Sequence, residues 1–160
     1  MSQQHYAKYL GKSYPIVLET ISEDIKQKPT LSFDGRQFLV VCAKGDSPDY
    51  QVLLTRFYQK AAKNHIQKRL AAYQPMIKTK MKGFSIESHA DKWGSCNSHR
   101  LLTFHWYLMT FPSEAVDYVV VHELCHLEHL NHDRSFWRLV GKLLPDYKAA
   151  QALLGPSQDL

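Results

Sequence analysis

His122-Glu123-Leu124-Cys125-His126 places two imidazoles four residues apart, with a carboxylate beside the first. On a helix, positions i and i+4 lie one turn apart on the same side, so both rings can close on one metal ion. This is the HExxH arrangement. Its glutamate can reach a water at the ion's open position, where the metal lowers the water's pKa and the carboxylate accepts its proton. A catalytic zinc takes three protein ligands, and His129 and His132 both lie within six residues of His126. On an unbroken helix, His129 would sit about 10 Å along the axis from His122, an awkward reach for a shared ion. His132 has the spacing of zinc proteases in which the helix ends and the chain folds back to deliver a third imidazole. It is therefore the preferred ligand, with His129 the alternative. The glycine of that longer motif is replaced here by His129, so Asn131 is expected to make the turn in a left-handed conformation. Cys125 is read as core rather than as a soft ligand.

These side chains need a helix, and the preceding residues supply one. Ser113 after Pro112 is the expected N-cap, Glu114 and Asp117 suit the positive end of the helix dipole, and Val116, Val119, Val120, Leu124, Leu127 and Leu130 give an apolar face. A second, longer amphipathic helix is predicted from about Pro48 to Tyr73, ending before Pro75. Ahead of it, Tyr14 to Thr20 and the two sides of Asp34-Gly35 read as strands, with Ser22 to Thr30 a polar loop. Phe84 to His89 and Leu101 to Phe104 read as a further strand pair, and Asp133 to Leu144 and Tyr147 to Leu154 as helices. The expected class is α+β: a small twisted antiparallel sheet packed by the long helix and the metal-binding helix. At 160 residues and 44% hydrophobic, with no repeat or linker, the chain is expected to form one domain over 1–160. Its β-rich part covers 1–46, and the helices, later strands and metal-binding part follow over 47–160.

Several segments together resemble the YgjP-like metal-dependent hydrolase family. They are Lys92-Trp93-Gly94-Ser95-Cys96-Asn97, then Leu102-Thr103-Phe104-His105-Trp106, then His122 to His126, Asn131-His132, Phe136-Trp137 and Pro145-Asp146-Tyr147. The likeness is strong from about Phe84 to Leu154; His105 departs from it, standing where the family usually has Asn. It implies a zincin-like minimal core, with His122, His126 and His132 as zinc ligands and Glu123 as catalytic base. It further implies that the Trp-Gly-Ser-Cys segment lines the cleft. Trp93, Gly94, Ser95 and Asn97 are accordingly candidate substrate-binding residues, through close backbone approach at Gly94 and hydrogen bonds from Ser95 and Asn97. The plainer reading is a tight turn anchored by a buried Trp93. Cys96 has no assignable histidine partner and is not favoured as a nucleophile. Trp106, Phe136 and Trp137 are expected to be core aromatics around the site, and His99, His105 and His129 candidate sources of supporting hydrogen bonds.

Peptide-bond hydrolysis by a zinc metallopeptidase is the leading function. Nucleoside triphosphate (UTP) pyrophosphohydrolysis is the alternative, since some members of the resembled family are described so. A third reading is a non-catalytic, metal-stabilised module that binds nucleic acid or a partner. The net charge of +5 bears on the substrate, because Arg56, Lys60, Lys63, Lys68 and Arg69 share the long helix and Lys78, Lys80 and Lys82 alternate after it. That basic face can meet a nucleotide or nucleic acid, but no aromatic-interleaved binding motif accompanies it, and a solvated face is favoured. No run approaches the roughly 20 apolar residues of a membrane span, and three widely spaced cysteines argue against a disulfide framework. A cytoplasmic location is expected.

Overall fold

The computed structural model describes residues 3–22, 27–88 and 91–155. It is α+β, as expected, but the strands divide between two small mixed sheets rather than forming one antiparallel sheet. Strands β1 (His5–Tyr9), β2 (Lys12–Ile21), β3 (Thr30–Phe33) and β4 (Phe38–Ala43) form the first, in the order β1-β2-β4-β3. The β1–β2 and β3–β4 pairs are antiparallel, whereas β2 and β4 run parallel with Ile16 opposite Phe38. The parallel pair arises because β3 folds back on β4 at Asp34-Gly35 and so takes the outer position. Asp34 Oδ1 accepts from the backbone N–H groups of Arg36 and Gln37, and Gly35 adopts φ +96°. Those two hydrogen bonds hold the Asp34 carboxyl below its usual range. Parts of the expected 22–30 loop and of the strand predicted to run to His89 lie outside the described residues.

The sequence reading missed β1. Its link to β2 passes through Leu10 (φ 48°) and Gly11 (φ 85°), two successive positive values of the kind a two-residue hairpin turn requires. That turn also docks on distant chain: Leu10 N–H donates to the Met109 carbonyl at 2.7 Å and Gly11 N–H to that of Thr110 at 3.2 Å. A Cβ on Gly11 would meet Pro112 at 2.9–3.1 Å, so the contact needs glycine for space as well as conformation.

Helix α1 (Tyr50–Tyr73) starts at Asp49, whose side chain accepts from the N–H groups of Gln51 and Val52. Its 24 residues span roughly 36 Å and serve both halves of the molecule. Near its start, Leu53 and Phe57 pack on Ile16, Phe38 and Val40 of the first sheet. Further along, Ala62, Ile66 and Leu70 enter the larger core with Val116, Val119 and Val120.

The second sheet holds β5 (Gly83–Glu87), β6 (Gly94–Cys96) and β7 (Leu101–His105) in the order β5-β7-β6. Strand β5 runs parallel to β7, and β6 is its antiparallel edge partner. The Trp-Gly-Ser-Cys segment is therefore an edge strand. A 3₁₀ turn over Trp106–Thr110 leads into α2 (Ser113–Cys125), and α3 (Arg134–Leu143) and α4 (Tyr147–Ala152) complete the chain. Ser113 proves to be the first helical residue, without a side-chain cap, because Pro112 already occupies the capping position. From Tyr118 to Cys125 every residue of α2 is buried, between α1, α3, α4 and β6. The Arg69 guanidinium grips Asp117 with two hydrogen bonds of 2.7 and 2.8 Å, and the Tyr73 hydroxyl donates to the same carboxylate at 2.9 Å. That clamp fixes α2 against α1.

Candidate metal centre

Three imidazoles converge where α2 ends. The ring nitrogens of His122, His126 and His132 lie within 4.8 Å of one another, and His126 Nε2 and His132 Nε2 are 3.0 Å apart. Zinc–nitrogen bonds of about 2.0–2.1 Å in a tetrahedral site need donors roughly 3.3 Å apart, so the cluster is close to the required size. Burial is graded across it, with His122 buried, His126 partly buried and His132 exposed.

The local sequence explains how His132 arrives. Helix α2 closes at Cys125, after which Leu127, Glu128 and His129 donate backbone N–H groups to the carbonyls of Leu124 and Cys125. Glu128 Oε1 accepts from the N–H groups of Lys78 and Thr79, tying this turn to the segment after α1. Asn131 does not adopt the expected left-handed conformation; among the described residues, the non-glycine positions with positive φ are Leu10 and Arg100. Reversal is spread over 126–132 and needs no single left-handed residue. Asp133 then caps α3 by accepting from Phe136 N–H at 3.0 Å, which sets the direction of the chain immediately after His132.

His129 contributes its backbone. Its carbonyl lies 3.0 Å from His126 Nδ1, which leaves Nε2 as the lone-pair side facing the cluster when Nδ1 carries the proton. Phe136 lies against all three rings, stacked on His126 with centroids 4.6 Å apart. Trp137 stacks on His132 at 5.9 Å, and Tyr147 on Trp137 at 5.5 Å. These aromatics thus pack directly on the candidate ligands. Burial holds the His126 imidazole below its ordinary pKa, favouring the neutral form that can donate a lone pair.

Glu123 is only 1% exposed. Its Oε2 lies 3.4 Å from His122 Nδ1, and among the described residues neither atom has a hydrogen-bond partner. Orphaned buried polar atoms cost about 1–3 kcal/mol each, and a metal-bound water would give the Glu123 carboxylate a partner. The donor set and these atoms fit a bound metal.

Of the four cleft candidates, Gly94 reaches the centre. A Cβ there would stand 3.0 Å from Glu123 Cγ and 3.1 Å from both Glu123 Oε2 and the Thr103 carbonyl, so β6 can lie over the carboxylate because position 94 has no side chain. Ser95 shares a hydroxyl–hydroxyl hydrogen bond with Thr103 on β7. Asn97 Oδ1 accepts from the N–H groups of His99 and Leu101 and builds the β6–β7 turn. Trp93 stacks on Tyr107 and meets Phe111 edge-on, while its carbonyl accepts from His105 N–H. The Cys96 thiol is pushed up to about 11 by burial and the nearby Glu123, so it stays protonated and is a poor nucleophile. Cys125 is buried, as expected, with its thiol pushed up to about 12. His105 Nδ1 accepts from Tyr107 N–H and starts the 3₁₀ turn.

The basic face divides. Arg69 is neutralised by Asp117, while Arg56, Lys60 and Lys68 line a hollow between α1 and β3. Among the described residues, no helix is long and apolar enough to cross a membrane. The sequence pointed to a supporting hydrogen bond from His129 and a close approach at Gly94, but not to the His129 carbonyl as the acceptor, to Glu123 as the group approached, or to the Asp133 cap. Asp133 left a signal of its own, an Asp three residues before the first buried position of a helix.

No curated protein matches the chain. The zymogen of the metallopeptidase abylysin from Pyrococcus abyssi is similar at 21% identity and a TM-score of 0.49, over 53% of this chain and 87% of that one. Residues 1–156 match the YgjP-like family, metallopeptidase domain, and the chain belongs to that family.

Proposed function

We propose that this metallopeptidase-like protein hydrolyses peptide bonds with zinc held by His122, His126 and His132 and with Glu123 as general base. The observation that carries the reading is the Glu123 carboxylate, buried beside the histidine cluster with Oε2 free of any hydrogen bond. A bound zinc ion would polarise the scissile carbonyl and lower the pKa of the attacking water. Glu123 takes the proton of that water and delivers it to the leaving nitrogen. The packing of β6 over Glu123 limits how far the carboxylate can swing, and Phe136 and Trp137 hold the imidazoles in place. Strand β6 is a sheet edge, which supports an extended polypeptide lying alongside it, with Gly94 as the point of closest approach to the base. Pyrophosphohydrolysis would call for cations around the metal to meet phosphates; Arg56, Lys60 and Lys68 line a different hollow, which leaves Arg134 and Arg138 on α3 as the cations nearest in sequence to His132. Three unpaired thiols support a reducing, cytoplasmic setting.

Glu123→Gln tests the mechanism. The variant should bind about one zinc per chain yet cleave unstructured polypeptides 10²- to 10⁴-fold more slowly, the usual worth of a general base. Equal turnover in variant and parent would remove Glu123 from the mechanism. Pyrophosphate release from UTP with the polypeptides left intact would overturn the peptidase reading.

A further inference from the structure

The hollow between β3 and α1 is a groove of about 710 Å³ and none of its lining residues belongs to the histidine centre. One wall is the continuous run from Pro29 to Phe33, the other the face of α1 that carries Arg56, Lys60 and Lys68. Leu53, Phe57 and Tyr9 contribute apolar surface between them. Among the described residues, the lining contains no carboxylate, and neither Arg56, Lys60 nor Lys68 makes an ion pair.

The strand wall has open hydrogen-bonding capacity. In the β3–β4 hairpin, Asp34 N–H donates to the Gln37 carbonyl, which makes that pair a hydrogen-bonded one. The antiparallel ladder alternates, so Ser32, opposite Leu39, and Thr30, opposite Val41, also point their backbone groups toward β4. The N–H and C=O groups of Leu31 and Phe33 therefore face the groove side, where β3 is the edge of its sheet. The helix wall has a matching repeat. Arg56 and Lys60 are separated by about 6 Å along α1, and Lys68 follows about 12 Å later. Alternate side chains of an extended chain recur every 6.7 Å or so, roughly the same interval.

We propose that this groove docks an extended acidic polypeptide segment, which adds to β3 as a further strand and sets alternate carboxylates against Arg56, Lys60 and Lys68. A single-stranded nucleic acid would satisfy the cations but would leave the backbone groups of Leu31 and Phe33 unused. The proposal is independent of what the metal centre hydrolyses.

The test is fluorescence anisotropy with the zinc-loaded full chain and a labelled 12-residue peptide alternating Glu with Thr or Val. The peptide should bind, and charge reversal at two exposed positions, Arg56→Glu with Lys60→Glu, should weaken it by about tenfold or more. Backbone N-methylation of the peptide on the edge facing β3 should cause a similar loss, and this arm leaves the protein unaltered. A Lys-for-Glu peptide should not bind. The proposal is overturned if the acidic peptide fails to bind, if the N-methylated peptide binds as well as its parent, or if an oligothymidylate of equal charge binds more tightly.

Discussion

The two sheets have similar construction and face different chemistry. Each is small and mixed, and each presents an edge strand beside a helix: β6 beside α2, and β3 beside α1. At β6 the facing helix offers a buried carboxylate and imidazoles, and the strand approaches through a glycine. At β3 the facing helix offers exposed cations above an aromatic floor. What separates a candidate catalytic cleft from a candidate docking groove is therefore which residues the neighbouring helix turns toward the edge, and how closely the strand can approach.

That contrast can be broken at several points. The largest expected effect is at the candidate ligands. His132→Ala should weaken zinc binding by more than the 10- to 100-fold or so typical of losing an outer partner, whereas His129→Ala should bind zinc nearly as well as the parent, because its contribution is a carbonyl. Competition with a chromogenic chelator measures both, and loss of zinc from the His129 variant with His132→Ala unaffected would exchange the two assignments. Next in size is Gly94→Ala, whose methyl must displace Glu123 or the Thr103 carbonyl. Turnover should drop roughly 10- to 100-fold with zinc retained, since sub-ångström misplacement of a catalytic group is enough. On the other edge strand, Ser32→Ala should leave turnover unchanged. Smallest is the comparison of caps. Asp133→Ala and Asp49→Ala should each lower stability by about 1 kcal/mol in denaturant titration, but only the former should also weaken zinc binding, because it lies between His132 and α3. Equal zinc affinity in the two variants would show that α3 does not position His132.

Much of the centre was legible because its information is local. HExxH spacing and an apolar face suffice to place His122, Glu123 and His126, and the six-residue step pointed to His132, which the structure brings to the cluster. The turn delivering it was misread at Asn131, since the backbone conformation of a short loop depends on bonds to Leu124 and Cys125 that spacing does not reveal. Gly94 was identified as a point of close approach, but that the approaching group is Glu123 depends on packing between β6 and α2. Separation into two sheets was also hidden. Pairing of β2 with β4, and of β5 with β7, is parallel and non-local, and alternation within a strand does not name its neighbour.

The Leu10-Gly11 turn has a consequence for the order in which the molecule assembles. It seats on Met109, Thr110 and Pro112, about a hundred residues downstream and immediately before α2. Contacts so distant along the chain carry a loop-closure entropy that neighbouring contacts escape, so they tend to be made late. On this topology the N-terminal hairpin and α1 can form while the histidines are still unsynthesised, and α2 then docks onto a prepared surface. An ion held by His122, His126 and His132 would then enter a scaffold whose other contacts are already made.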